Sequence, residues 1–314
     1  MFGYFGYSWW RSRPKVLVRR ETRYVTPIEN FYSVSIQPGF EPEVDESSWR
    51  LDFELEGRVV FQIDLQGLRA LERRSLYKTF MCVSNPVGGG AIGNALWTAA
   101  PLAPLIERVL ESGTVRNDPW VTFFGLDGFD SSIPLAVALD PESYIAYEMN
   151  GRELPVKFGY PARVLLPGKY GMKQPRWLHR ISVGRGGRGY WERRGWSNHA
   201  EVRTTSRIDA VALQDEGVWK VTGIAYCGRL PVGRVQFSSD GGDSWSEAAL
   251  TSSAEPNAWA TWEAEWRPES VGEHVLATRA VDASGGEQSS RFGGSFPSGS
   301  TGYHRVVVTV GTAG

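Results

Sequence analysis

The sequence predicts a mixed α+β domain followed by a smaller all-β sandwich. Three observations carry this. A chain of 314 residues is long for one core, so about two domains are expected. Its 36 glycines and 18 prolines favour turns and short strands over long helices. The residue pattern also changes near Arg207, from mixed segments to closely spaced strands. Hydrophobic residues at 41% and charged residues at 22% exclude wholesale disorder, collagen and coiled coil. A net charge of −1 gives no global pull towards nucleic acid. Two cysteines exclude a disulfide framework and are too few for a four-cysteine zinc site.

The expected order is an extension over 1–26, a larger domain over 27–207 and the sandwich over 208–314. The extension is unusual. Phe2, Tyr4, Phe5, Tyr7, Trp9 and Trp10 come first, and Arg11, Arg13, Lys15, Arg19 and Arg20 follow. A signal peptide has the opposite order, charge before apolar segment. Glu21, Thr22 and Arg23 after Arg19-Arg20 exclude a twin-arginine signal. Two readings stay open: an extension packed on the domain, or an interfacial anchor contacting a membrane surface. No apolar run approaches the 18 residues of a spanning helix.

In the larger domain, Arg50 to Gly57 alternates and reads as a strand ending in a turn. Leu65, Leu68 and Leu71 recur every third residue, which predicts a short helix within 64–74. Residues 101–112 form the best helical segment, closed by Gly113. Short strand-like pieces follow, so the sheet is expected to be mainly antiparallel. In the second domain the clearest strands are 218–225, 234–238, 260–266, 274–282 and 303–310. Trp262, Ala264 and Trp266 alternate with polar residues, as in a half-buried strand. Residues 239–243 (Ser-Asp-Gly-Gly-Asp) read as a hairpin turn, not a calcium loop. About a hundred residues of this pattern imply an immunoglobulin-like sandwich. This part holds seven Lys/Arg and thirteen acids, so the larger domain is the mildly basic one.

Two stretches could carry chemistry. Phe80-Met81-Cys82-Val83-Ser84-Asn85-Pro86-Val87-Gly88-Gly89-Gly90 places a thiol at a strand end before a glycine-rich turn. Such a thiol can be a metal ligand or a nucleophile, although a buried inert cysteine is the default reading. No Lys-Ser/Thr follows the glycines, which argues against a phosphate loop. The second stretch runs from Gly159 to Lys173, where Arg163, Lys169 and Lys173 flank a glycine-rich loop. It reads as an anion cradle or as a solvated basic loop. The four histidines (179, 199, 274, 304) lack zinc spacing. No haem or iron–sulfur cysteine motif occurs.

In this order the pieces resemble the sulfite oxidase family of molybdenum-cofactor enzymes, from about Pro27 to Val310, in a form found in bacterial members. Asn30-Phe31-Tyr32 is similar to the family's opening motif, and Cys82 to Gly89 to its metal-cysteine loop. Asp127-Gly128-Phe129, residues 147–151, 163–173, 176–178 and 190–196 are similar to further motifs. Residues 239–245 and 303–305 resemble its dimerisation domain. The resemblance implies molybdopterin as cofactor, with Cys82 the sole protein ligand to the metal through a soft thiolate. It implies that Asn30, Phe31 and Tyr32 line the pterin pocket and that Ser84 and Asn85 shape the loop. Asp127, Arg163, Gly168, Lys169, Gly171, Lys173 and Arg176 would hold the pterin and its phosphate.

The departures concern the substrate. Sulfite-oxidising members carry cations where this chain has Val34, Ile36 and Val87, and Phe158 stands at a further histidine position. Trp196 aligns with their active-site tyrosine. Arg229, beside Cys227, is expected to reach the site from the second domain. The expected function is oxygen-atom transfer to or from a small substrate, with a separate electron-transfer partner and a homodimer. The alternative class is a cofactor-free binding or assembly protein built on the sandwich. With no export signal in view the default location is cytoplasmic, while many relatives are periplasmic or membrane-associated.

Overall fold

The computed structural model describes residues 20–311 apart from 116 and 216. The aromatic and basic segment before residue 20, and with it the expectation of membrane-surface contact, lies outside the described residues. Among those described, no helix is long and apolar enough to cross a membrane.

The larger domain holds two five-stranded sheets. Strand β1 (Leu51–Leu55) buries Leu51, Phe53 and Leu55, and turns into β2 (Arg58–Ile63). Helix α1 (Leu65–Ala70) follows. The Asp64 carboxylate caps it by accepting from the Gly67 amide at 2.7 Å, which satisfies one orphan N–H. Next come β3 (Arg74–Met81), β4 (Ile92–Pro101), α2 (Ala103–Glu111), β5 (Trp120–Gly125) and β6 (Asp130–Pro134). Then follow α3 (Leu135–Ala138), β7 (Tyr144–Met149), β8 (Arg152–Glu153), β9 (Arg163–Leu165) and β10 (Leu178–Gly184).

One sheet has the order β2-β1-β10-β5-β6, and its β1–β10 pair is parallel. The other has the order β3-β4-β7-β8, with β9 added on β7. Leu105, Ile106 and Val109 of α2 pack on Phe53, Phe123 and Ile181 in one buried core. Each such side chain contributes about 1.5–3 kcal/mol of burial. The helices expected within 64–74 and over 101–112 are found as α1 and α2, but they are too short to support an α+β label. The described α-helices have only 6, 9 and 4 residues, so the domain is mostly β.

The second domain is built from β11 (Thr205–Asp215), β12 (Val218–Tyr226), β13 (Val232–Ser238) and β14 (Ser246–Leu250). It continues with β15 (Ala260–Trp266), β16 (Gly272–Asp282) and β17 (His304–Val310). The path is β11-β12-β15-β14-β13-β16-β17. Strand β14 bonds both β13 and β15, so it folds one path into two layers. Trp219, Trp262, Phe237, Leu276 and Val308 fill the space between them. Residues 239–243 are a turn, closed by the Asp240 carboxylate, which accepts from the amides of Asp243 and Ser244 at 3.0 Å. Cys227 belongs to this core, and burial pushes its thiol up to about 12.

Candidate active site

A cavity of about 240 Å³ opens where β3 ends, beside β9 and the segment after Pro27. A 3-10 turn over Ile28–Asn30 delivers Phe31 into the interior. Its ring lies 5.5 Å from Phe158, 6.2 Å from Trp97 and 6.5 Å from Phe80, each edge-on. Edge-to-face geometry of this kind fixes a ring more firmly than burial alone. Tyr32 follows at the cavity wall, where burial first, and then the neighbouring Cys82, hold its phenol well above the usual range.

Cys82 is half-buried and lines the same cavity. Its Sγ lies 3.1 Å from Ser84 Oγ. The loop behind it closes on itself. The Cys82 amide donates to Ala91 O at 2.9 Å, and the Ala91 amide to Asn85 Oδ1 at 2.9 Å. Asn85 thus shapes the loop from behind and does not face the large cavity.

Two guanidiniums enter the lining. Arg163 on β9 lies 4.1 Å over the Phe80 ring, and its terminal nitrogens donate to Phe158 O at 3.0 Å and Gln174 O at 3.3 Å. Its Nε is buried without a hydrogen-bond partner. Burial, with Arg176 nearby, pushes Arg163 down to about 9. Arg176 lies 4.3 Å over Trp177 and donates to Ser33 Oγ and Lys157 O, both at 2.7 Å. Asp127 also lines the cavity. Burial raises its carboxyl pKa, while the Phe129 amide donated to it acts in the opposite direction. The remaining wall includes Val34, Ile36, Phe129, Met172, Trp191 and Trp196.

The structure therefore gathers Phe31, Tyr32, Cys82, Ser84, Asp127, Arg163, Gly171, Arg176 and Trp196 around one space. It places the others outside the lining. Asn30 is exposed on its turn. The Gly168 amide donates to Asn257 Oδ1 at 2.8 Å, and Lys169 donates to His199 O at 3.0 Å. Lys173 is buried with its ammonium paired to Glu192, so its charge is already met inside the protein. Arg229 is held by Asp140 at 2.5 Å and Glu142 at 3.3 Å, and the structure does not bring it to the cavity.

Sequence reasoning missed Lys78, which is fully buried on β3 and donates to Leu166 O at 2.6 Å. Burial pushes it down to about 7. The available signal was a lone cation within an otherwise apolar strand run. It also missed Gln174, whose amide ties Leu166 and Lys169 together at 2.9 and 2.8 Å.

The cysteine loop is gripped from the second domain's side. Arg207 on β11 donates to Gly89 O at 2.8 Å and pairs with buried Asp209. His304 lies against Gly88, where a Cβ would collide with the imidazole and φ is +72°. Glycine is required there on both counts. The Ile208 amide donates to His304 Nδ1 at 3.0 Å, which fixes a neutral ring.

Burial first, then Arg207 and Arg20, push His304 down to about 4. Between about pH 6.5 and 4 the unfolded chain binds a proton that the folded chain rejects, so stability falls on acidification through that window. His304→Gln should shrink the stability lost between pH 7 and 4 by up to about 3 kcal/mol. Urea unfolding at both pH values measures this, and equal losses in both proteins would contradict it.

Residues 39–191 match the family model of the oxidoreductase molybdopterin-binding domain. Residues 198–310 match that of the Mo-co oxidoreductase dimerisation domain. Sulfite oxidase of Gallus gallus is 29% identical over 311 residues, covering 83% of this chain and 67% of that protein. Mitochondrial sulfite oxidase of Homo sapiens is 29% identical over 310 residues, covering 82% of this chain and 56% of that protein. The chain thus spans little more than half the length of the human relative. The crystal structure of the sulfane dehydrogenase SoxCD from Paracoccus pantotrophus superposes with a TM-score of 0.72 at 19% identity. That match covers 100% of this chain and 96% of that chain, and it shows the shared fold.

Proposed function

The chain belongs to the sulfite oxidase family of molybdopterin-dependent oxidoreductases, and from that premise we propose that it transfers an oxygen atom to or from a small substrate of low charge. The carrying observation is one cavity that joins a half-buried thiol to a buried guanidinium, Arg163, and a half-buried one, Arg176. The residues fit the cofactor. Arg163 Nε is a buried donor still lacking an acceptor. Among the described residues no group of three or more His, Cys, Asp or Glu side chains could hold a metal ion. A metal at Cys82 would thus take its other donors from the cofactor. When bound, the cofactor supplies two-electron redox chemistry and the oxygen that passes to or from substrate.

This chain's residues do the rest. Cys82 would ligate the metal, and Arg163 and Arg176 would hold the anionic pterin tail. Phe31 and Tyr32 would form the wall beside it. Val34, Ile36, Phe129, Met172 and Trp196 would face the substrate and exclude water. Both lining guanidiniums donate to neutral protein oxygens and so keep the positive charge that would meet the anionic pterin tail. Val34 and Ile36 line the wall at positions where the family resemblance leads to an expectation of cations, which favours a sulfoxide-like neutral acceptor over a dianion; Val87 does not line the cavity.

Metal analysis and pterin release should give about one molybdenum and one pterin per chain. A metal-replete preparation lacking both would overturn the reading. Val34→Arg supplies one charge-assisted contact of about 1.5–3 kcal/mol, so kcat/KM for sulfite should rise roughly 10- to 150-fold. An unchanged value would remove the charge argument. The matched dimerisation domain supports a homodimer. We propose a separate protein as the electron-transfer partner.

A further inference from the structure

The connection between β16 and β17 spans residues 283–303 without a strand or helix of its own. Long irregular connections inside a compact domain are uncommon and usually functional. This one is internally braced. Gly293 and Thr301 exchange backbone hydrogen bonds at 3.0 and 3.1 Å, and Gln288 Nε2 donates to Gly302 O at 2.8 Å.

Its far end meets three segments that border the cavity, one of them through the lining residue Trp196. Ser300 Oγ donates to Asn85 O in the cysteine loop at 2.7 Å. Gly299 sits so close to Tyr170 that a Cβ would collide with the phenol, and its φ is +91°. Tyr170 directly precedes the turn bearing Gly171 and Met172. The Ser197 amide donates to Pro297 O at 3.0 Å, and the Phe296 ring meets Trp196 edge-on at 5.2 Å.

We infer that residues 295–304 are a positioning strap for the active site, with Ser300 setting the cysteine loop and Phe296 setting Trp196. The second domain then contributes to the site's geometry as well as to association. The inference rests on Cys82 being the site thiol, so its test avoids the loaded enzyme's activity as sole readout.

The experiment uses full-length, metal-free protein and follows alkylation of Cys82 by iodoacetamide. Cys227 is buried with its thiol pushed up to about 12, so it stays silent while the protein is folded. Losing one hydrogen bond from the strap should raise the alkylation rate about three- to tenfold in Ser300→Ala. The melting temperature should stay unchanged, and Ser300→Thr should restore the slow rate. An unchanged rate, or a rise that tracks a lowered melting temperature in both variants, overturns the inference.

Phe296 is 61% exposed, so Phe296→Ala is not at risk of misfolding. With the loaded enzyme this variant should raise KM about threefold or more, as expected for one lost ring contact, and leave kcat nearly unchanged. A fall in kcat alone, or no change, overturns the role assigned to Phe296. The alkylation result does not depend on molybdenum, so its failure would leave the proposed function standing. A chain without molybdenum would likewise leave the alkylation result intact.

Discussion

Cys82→Ser should lower turnover at least about a hundredfold while leaving the fold intact, because even partners one shell out from a metal ligand are worth 10- to 100-fold. The side chain is half-buried and touches Ser84 Oγ at 3.1 Å, so a hydroxyl of similar size fits the same space. What changes is the donor. A thiol readily gives up its proton to a metal and becomes a soft thiolate, whereas a serine hydroxyl is hard and keeps its proton. Pterin content should persist, since Arg163 and Arg176 are untouched. The check is turnover per pterin together with the melting temperature, and a fully active serine variant would remove Cys82 from the chemistry.

Arg163→Met should cost about 2–4 kcal/mol of stability, because two buried carbonyls lose their donors. Those carbonyls belong to Phe158 and Gln174, which bracket the cavity. The methionine would retain some packing on Phe80 and Trp97, so the loss is polar in origin. Pterin content should fall with it, since the buried Nε that would meet the cofactor is gone. Arg163→Lys should not rescue either property, because one ammonium cannot span both carbonyls in the guanidinium's planar geometry. Urea midpoints and pterin released per chain test this. Wild-type stability in the methionine variant would contradict it.

Much of the second domain was legible because its signals are local. Strands expected over 218–225, 260–266 and 274–282 are observed over 218–226, 260–266 and 272–282. Alternation and turn residues mark such elements without knowledge of their partners. The parallel β1–β10 pair was not legible, since it joins Phe53 to Ile181 and neither sequence names the other. The same limit applied to charges. Lys173 and Arg229 read as free cations in a basic loop and beside a cysteine. Their acidic partners, Glu192, Asp140 and Glu142, lie far away along the chain and meet them only in three dimensions. Phe31, Tyr32, Cys82 and Arg163 were legible through the family resemblance, which carries spatial information that periodicity lacks.

The bond from Ser300 to Asn85 spans 215 positions. During synthesis at about 5–20 residues per second, the cysteine loop leaves the ribosome roughly ten to forty seconds before the segment that braces it. Over that interval the loop has its own internal hydrogen bonds but not the one from Ser300. A chain stopped before residue 300 would lack the bond by which Ser300 ties down the loop that bears Cys82.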